Sequence, residues 1–168
     1  MDKHTQALMF SSVSDEYGTP PEIFNPLDDR FDFTLDAAAS GENHKLPVYY
    51  TADELIVQYH TTPNVVSHED ALVGQWAKVS RKPGSRVWLN PPFSLVEPFV
   101  RKCAMERDNC EAIVALLPGR TDTEWFHRWV APYAEVHDVM GRIRFIGHAG
   151  KCKDLPPHPV HRLPGAPF

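Results

Sequence analysis

Apolar residues gather along this chain in short runs, separated by proline, glycine and charge. The longest run, Ala112-Ile113-Val114-Ala115-Leu116-Leu117, has no polar interruption and predicts a strand buried on both faces. Val87-Trp88-Leu89 has the same make-up on a shorter scale and ends at Asn90-Pro91-Pro92-Phe93. Phe31-Asp32-Phe33-Thr34-Leu35 alternates apolar and polar, then meets the small residues of Asp36-Ala37-Ala38-Ala39-Ser40-Gly41. Residues 97–108 set Phe99, Val100, Cys103 and Ala104 on one helix face, and a second helix from Thr121 carries Trp125, Phe126 and Trp129. Thr19-Pro20-Pro21-Glu22 predicts a helix start, with Thr19 as N-cap, Pro20 as the first helical residue and Glu22 in the capping-box position. Residues 1–14 form a loose polar arm. The last fourteen residues carry five prolines and read as irregular. The expected architecture is a compact α/β domain over 15–150, with a mainly parallel sheet and a Pro-rich tail over 151–168.

Asn90 carries the most specific chemistry. Prolines 91 and 92 stop a ladder because each lacks an N–H, and the residue before a proline is pushed out of the α region. Asn90 is therefore held extended at the end of a core strand, on the sheet edge where open α/β folds bind ligands. An amino group on an aromatic base is a poor nucleophile, since its lone pair is delocalised into the ring. An amide oxygen and a proline carbonyl can accept its two hydrogens and favour the tetrahedral form, while a neighbouring aromatic ring stacks on a base extruded from its helix. Asn90, Pro91 and Phe93 supply those parts in that order, with Pro92 stiffening the turn.

The stretch Asn90-Pro91-Pro92-Phe93 resembles the (D/N/S)-P-P-(Y/F) signature of amino-group methyltransferases that use S-adenosylmethionine. The flanking segments resemble one branch of them, the phage-type DNA N-6-adenine methyltransferases. Thr19-Pro20-Pro21-Glu22-Ile23-Phe24 is similar to a T-P-x-x-[IL]-F segment that lies by the cofactor's methionine end. Leu35-Asp36-Ala37-Ala38-Ala39 is similar to the first cofactor motif, L-D-x-[AC]-A. Asp70, Leu72 and Trp76 fit D-[GA]-L followed by W, with residues 52–67 as an insertion. Residues 116–127 are similar to L-L-P-x-[RA]-T-D-T-x-W-F-H, and Gly141, Arg142, Ile143 and Phe145 to G-R-[IL]-x-F. The resemblance runs from about Tyr17 to Phe145. It implies a Rossmann-like methyltransferase fold and binding of S-adenosylmethionine by Thr19, Pro20, Asp36, Ala38, Asp70 and Asn90. It further implies methyl transfer to adenine N6 in double-stranded DNA, by a phage or prophage protein in a bacterial host. In the family a segment like Ala166-Pro167-Phe168 precedes a final strand. Here that strand is missing, or another element closes the sheet edge.

Composition narrows the partners. Net charge is −5, yet residues 1–80 hold 4 Lys+Arg against 13 Asp+Glu, whereas residues 81–168 hold 13 against 9. The basic excess starts beside the Asn90 turn, which makes Arg81, Lys82, Arg86 and Arg120 the candidate phosphate contacts. No G-x-G-x-x-G is present, which disfavours a nicotinamide or flavin enzyme. The three cysteines do not make a disulfide framework. Cys152, His158 and His161 lack metal-ligand spacing, so no metal is expected. No apolar run approaches a membrane span and no signal peptide opens the chain, so a cytoplasmic place is expected. Monomer and weak dimer both stay open. So do other acceptors on the same fold, namely cytosine N4, an RNA base or a protein glutamine, and a copy that binds DNA without turnover.

Overall fold

The computed structural model describes residues 17–51, 65–66, 71–79, 84–147, 152–154 and 159–163, with 65–66, 152–154 and 159–163 described as backbone. The proline stop after Leu89 and the apolar run at 112 become neighbouring strands at the middle of the sheet. Strand β4 (Arg86–Leu89) pairs in parallel with β5 (Ala112–Leu116) on one side and β1 (Leu35–Asp36) on the other. Beyond β1 lie β2 (Tyr49–Tyr50) and β3 (Val65–Val66), also parallel.

On the far side of β5 the strand order is β9 (Pro159–Leu163), then β6 (Glu135–Asp138), with β9 antiparallel to both neighbours. The full order is β3-β2-β1-β4-β5-β9-β6. This is a Rossmann-like α/β fold with a mainly parallel sheet, as expected, and the chain's last described strand is antiparallel to its neighbours. The expectation of an irregular C-terminal stretch is corrected here. Prolines flank residues 160–163 and one opens the strand, a position where a missing N–H costs little. A separate antiparallel pair joins β7 (Arg144–Ile146) to β8 (Cys152–Asp154).

Side chains alternate across the strands, so each face gathers its own core. Val87 and Leu89 of β4 join Ile113 and Ala115 of β5 on one face. There they pack on α3 (Val96–Glu106) through Val96, Phe99, Val100 and Cys103, with Phe126 and Val130 beside them. Trp88 and Val114 point the other way, onto Phe24 of α1 (Pro21–Phe31) and Ile143 and Phe145. Apolar cover on both faces is what the uninterrupted apolar runs require. A four-residue helix, α2 (Trp76–Val79), buries Trp76, whose indole N–H donates to the Ala71 carbonyl at 2.8 Å.

Three local boundaries differ from the sequence expectations. Helix α1 begins at Pro21 with Pro20 as its N-cap, at φ −67° and ψ 148°. Thr19 is not the cap, because Pro21 bars Pro20 from the helical region and moves the start one residue on. Phe31 ends α1, and Asp32 closes it in the left-handed region at φ 47°, so β1 is only two residues long. The Trp125 segment becomes a π-helical turn over Phe126–Val130, with the Ala131 N–H on the Phe126 carbonyl at 2.9 Å.

Strands β1 and β4 lead off to opposite sides of the sheet. Their carboxyl ends therefore flank the switch point, the crevice where such sheets take ligands. Asp36 and Trp88 are in register there, which sets Ala38 alongside Asn90.

Candidate functional site

Asn90 lies half-buried just past β4, with Pro91 buried behind it. Its side-chain N–H donates to the backbone carbonyl of Tyr17 at 2.8 Å. A carbonyl can only accept, so this bond fixes which end of the amide faces inward. Oδ1 is turned away from that bond and has no donor among the described residues. The Pro91 carbonyl likewise meets no donor among them. Two acceptors are thus held open on one stiff turn. The chain then folds directly into a 3-10 turn over Phe93–Leu95, closed by the Leu95 N–H on the Pro92 carbonyl at 2.9 Å.

Tyr17 is placed by a backbone bridge. Gly18 and Ile146 exchange both N–H···O bonds, at 2.8 and 2.9 Å. The bridge ties the segment before α1 to β7 and gathers three rings around the turn. Phe93 lies 5.8 Å from Tyr17 and 6.3 Å from Phe145, centroid to centroid, and Tyr17 lies 6.4 Å from Phe145. Neither Tyr17 nor Phe145 was among the site residues expected from sequence. Phe145 lies inside the G-R-I-x-F match, the signal that could have found it. A backbone carbonyl, as at Tyr17, leaves no trace in residue type.

Thr19 and Pro20 are both buried beside this turn. Thr19 is 1 % exposed, and its hydroxyl has no hydrogen-bond partner. A buried polar group left so costs about 1–3 kcal/mol.

Asp36, 2 % exposed, is buried at the crevice wall. Its two oxygens accept the N–H groups of Lys45 at 3.0 Å and Ala38 at 3.4 Å. Asp36 thereby shapes the loop that forms the crevice wall. Burial pushes its carboxyl up to about 6, against the pull of those two N–H groups and of nearby His44 and Lys45. Burial also lowers the Lys45 ammonium from its usual value, while Asp36 opposes that. The Ala37 N–H bonds Trp88 and the Ala39 N–H bonds Tyr50, at 2.9 and 3.1 Å. The small side chains of Ala38 and Ala39 therefore line a fixed wall.

The candidate phosphate contacts separate. Arg86 opens β4, four residues and about 13 Å from Asn90 along the strand. Its guanidinium binds the Asp32 carboxylate at 2.7 Å, the Asp32 carbonyl at 2.9 Å and the Glu111 carboxylate at 3.0 Å, leaving the side chain 17 % exposed. Arg86 is engaged by the fold at the opposite end from the crevice, which corrects its expected role. Arg120 is exposed in the loop after β5, on the crevice side. Arg81, Lys82 and Asp70 lie outside the described residues. Cys152 and His161 fall in β8 and β9, strands of different sheets, and His158 lies outside the described residues.

The crevice thus has small residues on one wall and two acceptors on a turn beside an aromatic ring, with the buried Thr19 hydroxyl close by in the chain. These fit a cofactor that has a polar end and presents a transferable group to Asn90. Residues 6–155 match the family model described as DNA N-6-adenine-methyltransferase (Dam). A protein of Escherichia phage T1, named DNA N-6-adenine-methyltransferase, is 29% identical over 160 residues. That match covers 85% of this chain and 59% of the relative, so the chain spans under two thirds of the relative's length. Among solved structures, a SAM-dependent O-methyltransferase from Thermotoga maritima aligns with TM-score 0.45 and 9% identity, over 100% of this chain and 73% of its own. A SAM-dependent methyltransferase from Anabaena variabilis aligns with TM-score 0.48 and 14% identity, over 95% and 90%. With its residues matched almost end to end, the chain belongs to the DNA N-6-adenine-methyltransferase (Dam) family.

Proposed function

We propose that this chain catalyses methylation of the N6 amino group of adenine in double-stranded DNA, with S-adenosylmethionine as methyl donor. The observation that carries this reading is the Asn90 amide, clamped through its N–H by the Tyr17 carbonyl so that Oδ1 is left to accept. With the Pro91 carbonyl it makes two acceptors on adjacent residues, which suit a primary aromatic amine with two hydrogens to give. Accepting both draws electron density back onto the nitrogen as it turns tetrahedral, so the bonds strengthen in the transition state. Phe93 would stack on the flipped base, with Tyr17 and Phe145 packed near its ring.

When bound, S-adenosylmethionine supplies an activated methyl group. The chain supplies position. Thr19, Pro20 and Ala38 would hold the cofactor, and Asp36 would act through the loop it pins. Asp70 completes the set proposed from the family pattern. Arg120 would bind a DNA phosphate, and Arg81 and Lys82 are further phosphate contacts proposed from the charge pattern alone. The proposed place of action is the cytoplasm of a bacterial host. No helix among the described residues is long and apolar enough to cross a membrane. Strand β9, which fills the sheet between β5 and β6, supports a working enzyme over a copy without turnover.

The test is transfer of labelled methyl from S-adenosylmethionine to unmethylated DNA, followed by base analysis and site mapping. Label in N6-methyladenine is the expected result. Label in N4-methylcytosine, in RNA or in protein would move the reading to another acceptor, and no label in any of them would overturn it.

A further inference from the structure

Among the described residues one large apolar side chain stands wholly in water. Met140 is 99 % exposed, whereas the other exposed large hydrophobic residues described range from 37% to 70%. Single exposed apolar residues are ordinary on protein surfaces; the setting of this one is not. Met140 sits on the turn between β6 and β7, next to Gly141, whose φ of +85° suits a residue without Cβ. Both stems of the turn are anchored. Val139 packs partly buried against the core face that holds Trp88, and Ile143 is buried there.

The sheet register says where this turn stands. Leu89 pairs with Ala115, Leu116 with Val160, and Pro159 with Asp138. Counting two residues on from Leu89 and Ala115 puts Asp138 level with Pro91. The two are three strand spacings apart, about 14 Å. Met140 lies two residues further out than Asp138, on the same rim as the Asn90 turn and to one side of it. Arg120 and Arg142, both exposed, stand on this rim as well.

We propose that Met140 is a wedge that enters the base stack of double-stranded DNA and fills the place left by the flipped adenine. The inference rests on the methylation of duplex DNA proposed above. Taking a base out of the stack leaves apolar ring faces exposed, and inserted apolar side chains cover such gaps in many DNA-bending proteins. An unbranched thioether side chain adapts its shape to that gap. The separation of about 14 Å is on the scale of the major groove, about 12 Å across, so one rim can reach the duplex while its neighbour holds the base. Arg120 and Arg142 would bind phosphates on either side and set the depth of entry.

The test compares wild type, Met140→Ala and Met140→Leu in single-turnover methylation on two duplexes built around the mapped site. In one the target adenine is paired; in the other it faces an abasic position and has no partner to leave. On the paired duplex, Met140→Ala should fall about tenfold or more, because the gap stays unfilled. On the abasic-facing duplex it should stay within about threefold of wild type, because little unpairing remains to be offset. Met140→Leu should stay near wild type on both. Wild-type rates for Met140→Ala on the paired duplex, or an equal loss on both duplexes, would overturn the wedge. Wild type that methylates no adenine at all would instead overturn the functional reading on which the wedge rests.

Discussion

The two ends of β4 treat their polar groups differently. At the amino end every strong donor finds its acceptor. Arg86 takes Asp32 and Glu111, and its backbone exchanges bonds with the Thr34 hydroxyl at 3.0 and 3.2 Å. At the carboxyl end one bond, Asn90 to Tyr17, is made, and the rest is left open: Asn90 Oδ1, the Pro91 carbonyl and the buried Thr19 hydroxyl. A buried polar group without a partner costs free energy, and the Thr19 hydroxyl shares that state with Glu106 Oε2 at the end of α3, away from the crevice. The contrast between the two ends therefore rests on the acceptors of the Asn90 turn.

Substitutions at the two ends should have effects of different kind and size. Asn90→Ala should have the largest, a loss of about 10²–10³ in turnover with cofactor and DNA affinity kept, since it removes an acceptor used most in the transition state. Single-turnover methylation beside equilibrium binding would measure it. Phe93→Ala should instead weaken binding of the flipped base by about 1–3 kcal/mol, while Phe93→Tyr retains activity.

Asp36 comes next. Its carboxyl is raised from 3.8 to about 6 in the folded protein, so the native state holds the proton more tightly than the unfolded chain does. Stability is therefore fully present below about 3.8 and declines as pH rises through about 6, by roughly 3 kcal/mol in all. Chemical denaturation of wild type and Asp36→Asn across that range should show the slope in wild type only. Equal slopes would place the titration elsewhere.

Arg86→Ala should lower stability by about 1–3 kcal/mol, from charged hydrogen bonds lost, and leave the salt dependence of DNA binding unchanged. Thr19→Val should show a crossed signature. Removing an unpartnered hydroxyl should raise the stability of the free protein by about 1 kcal/mol, while calorimetry records weaker cofactor binding. The smallest effect belongs to Arg120→Ala, which should lower the log–log salt slope of DNA affinity by about 0.9.

How much of this was visible in the sequence follows the range of each interaction. Local patterns carried β4, β5 and α3, because burial on a strand or helix face is written in residue spacing. Phe99, Val100, Cys103 and Ala104 are all buried, as their spacing predicts. Partners far along the chain were not visible. Arg86 looks basic and available until Asp32, 54 residues away, takes it. The carbonyl that orients Asn90 lies 73 residues away and belongs to the backbone, which residue identity does not encode. Strand β9 was hidden for a local reason: the prolines around Val160 and Leu163 read as breakers, although four consecutive residues between them pair. The Pro20 cap, by contrast, was legible from sequence, since Pro21 already bars Pro20 from the helical region.

The most direct test of the contrast is Asn90→Asp, a change that the family signature tolerates by residue type. A carboxylate cannot donate to the Tyr17 carbonyl, so the new side chain should be repelled from the clamp and lose its orientation. Single-turnover methylation at neutral pH should then fall by about 10²-fold, in line with loss of a preorganised polar group, while cofactor affinity is kept. Turnover should recover in part as pH approaches the carboxyl's own range near about 4, where a protonated oxygen can donate again. Wild-type turnover by Asn90→Asp at neutral pH would contradict the clamp and, with it, the open acceptor at the carboxyl end of β4.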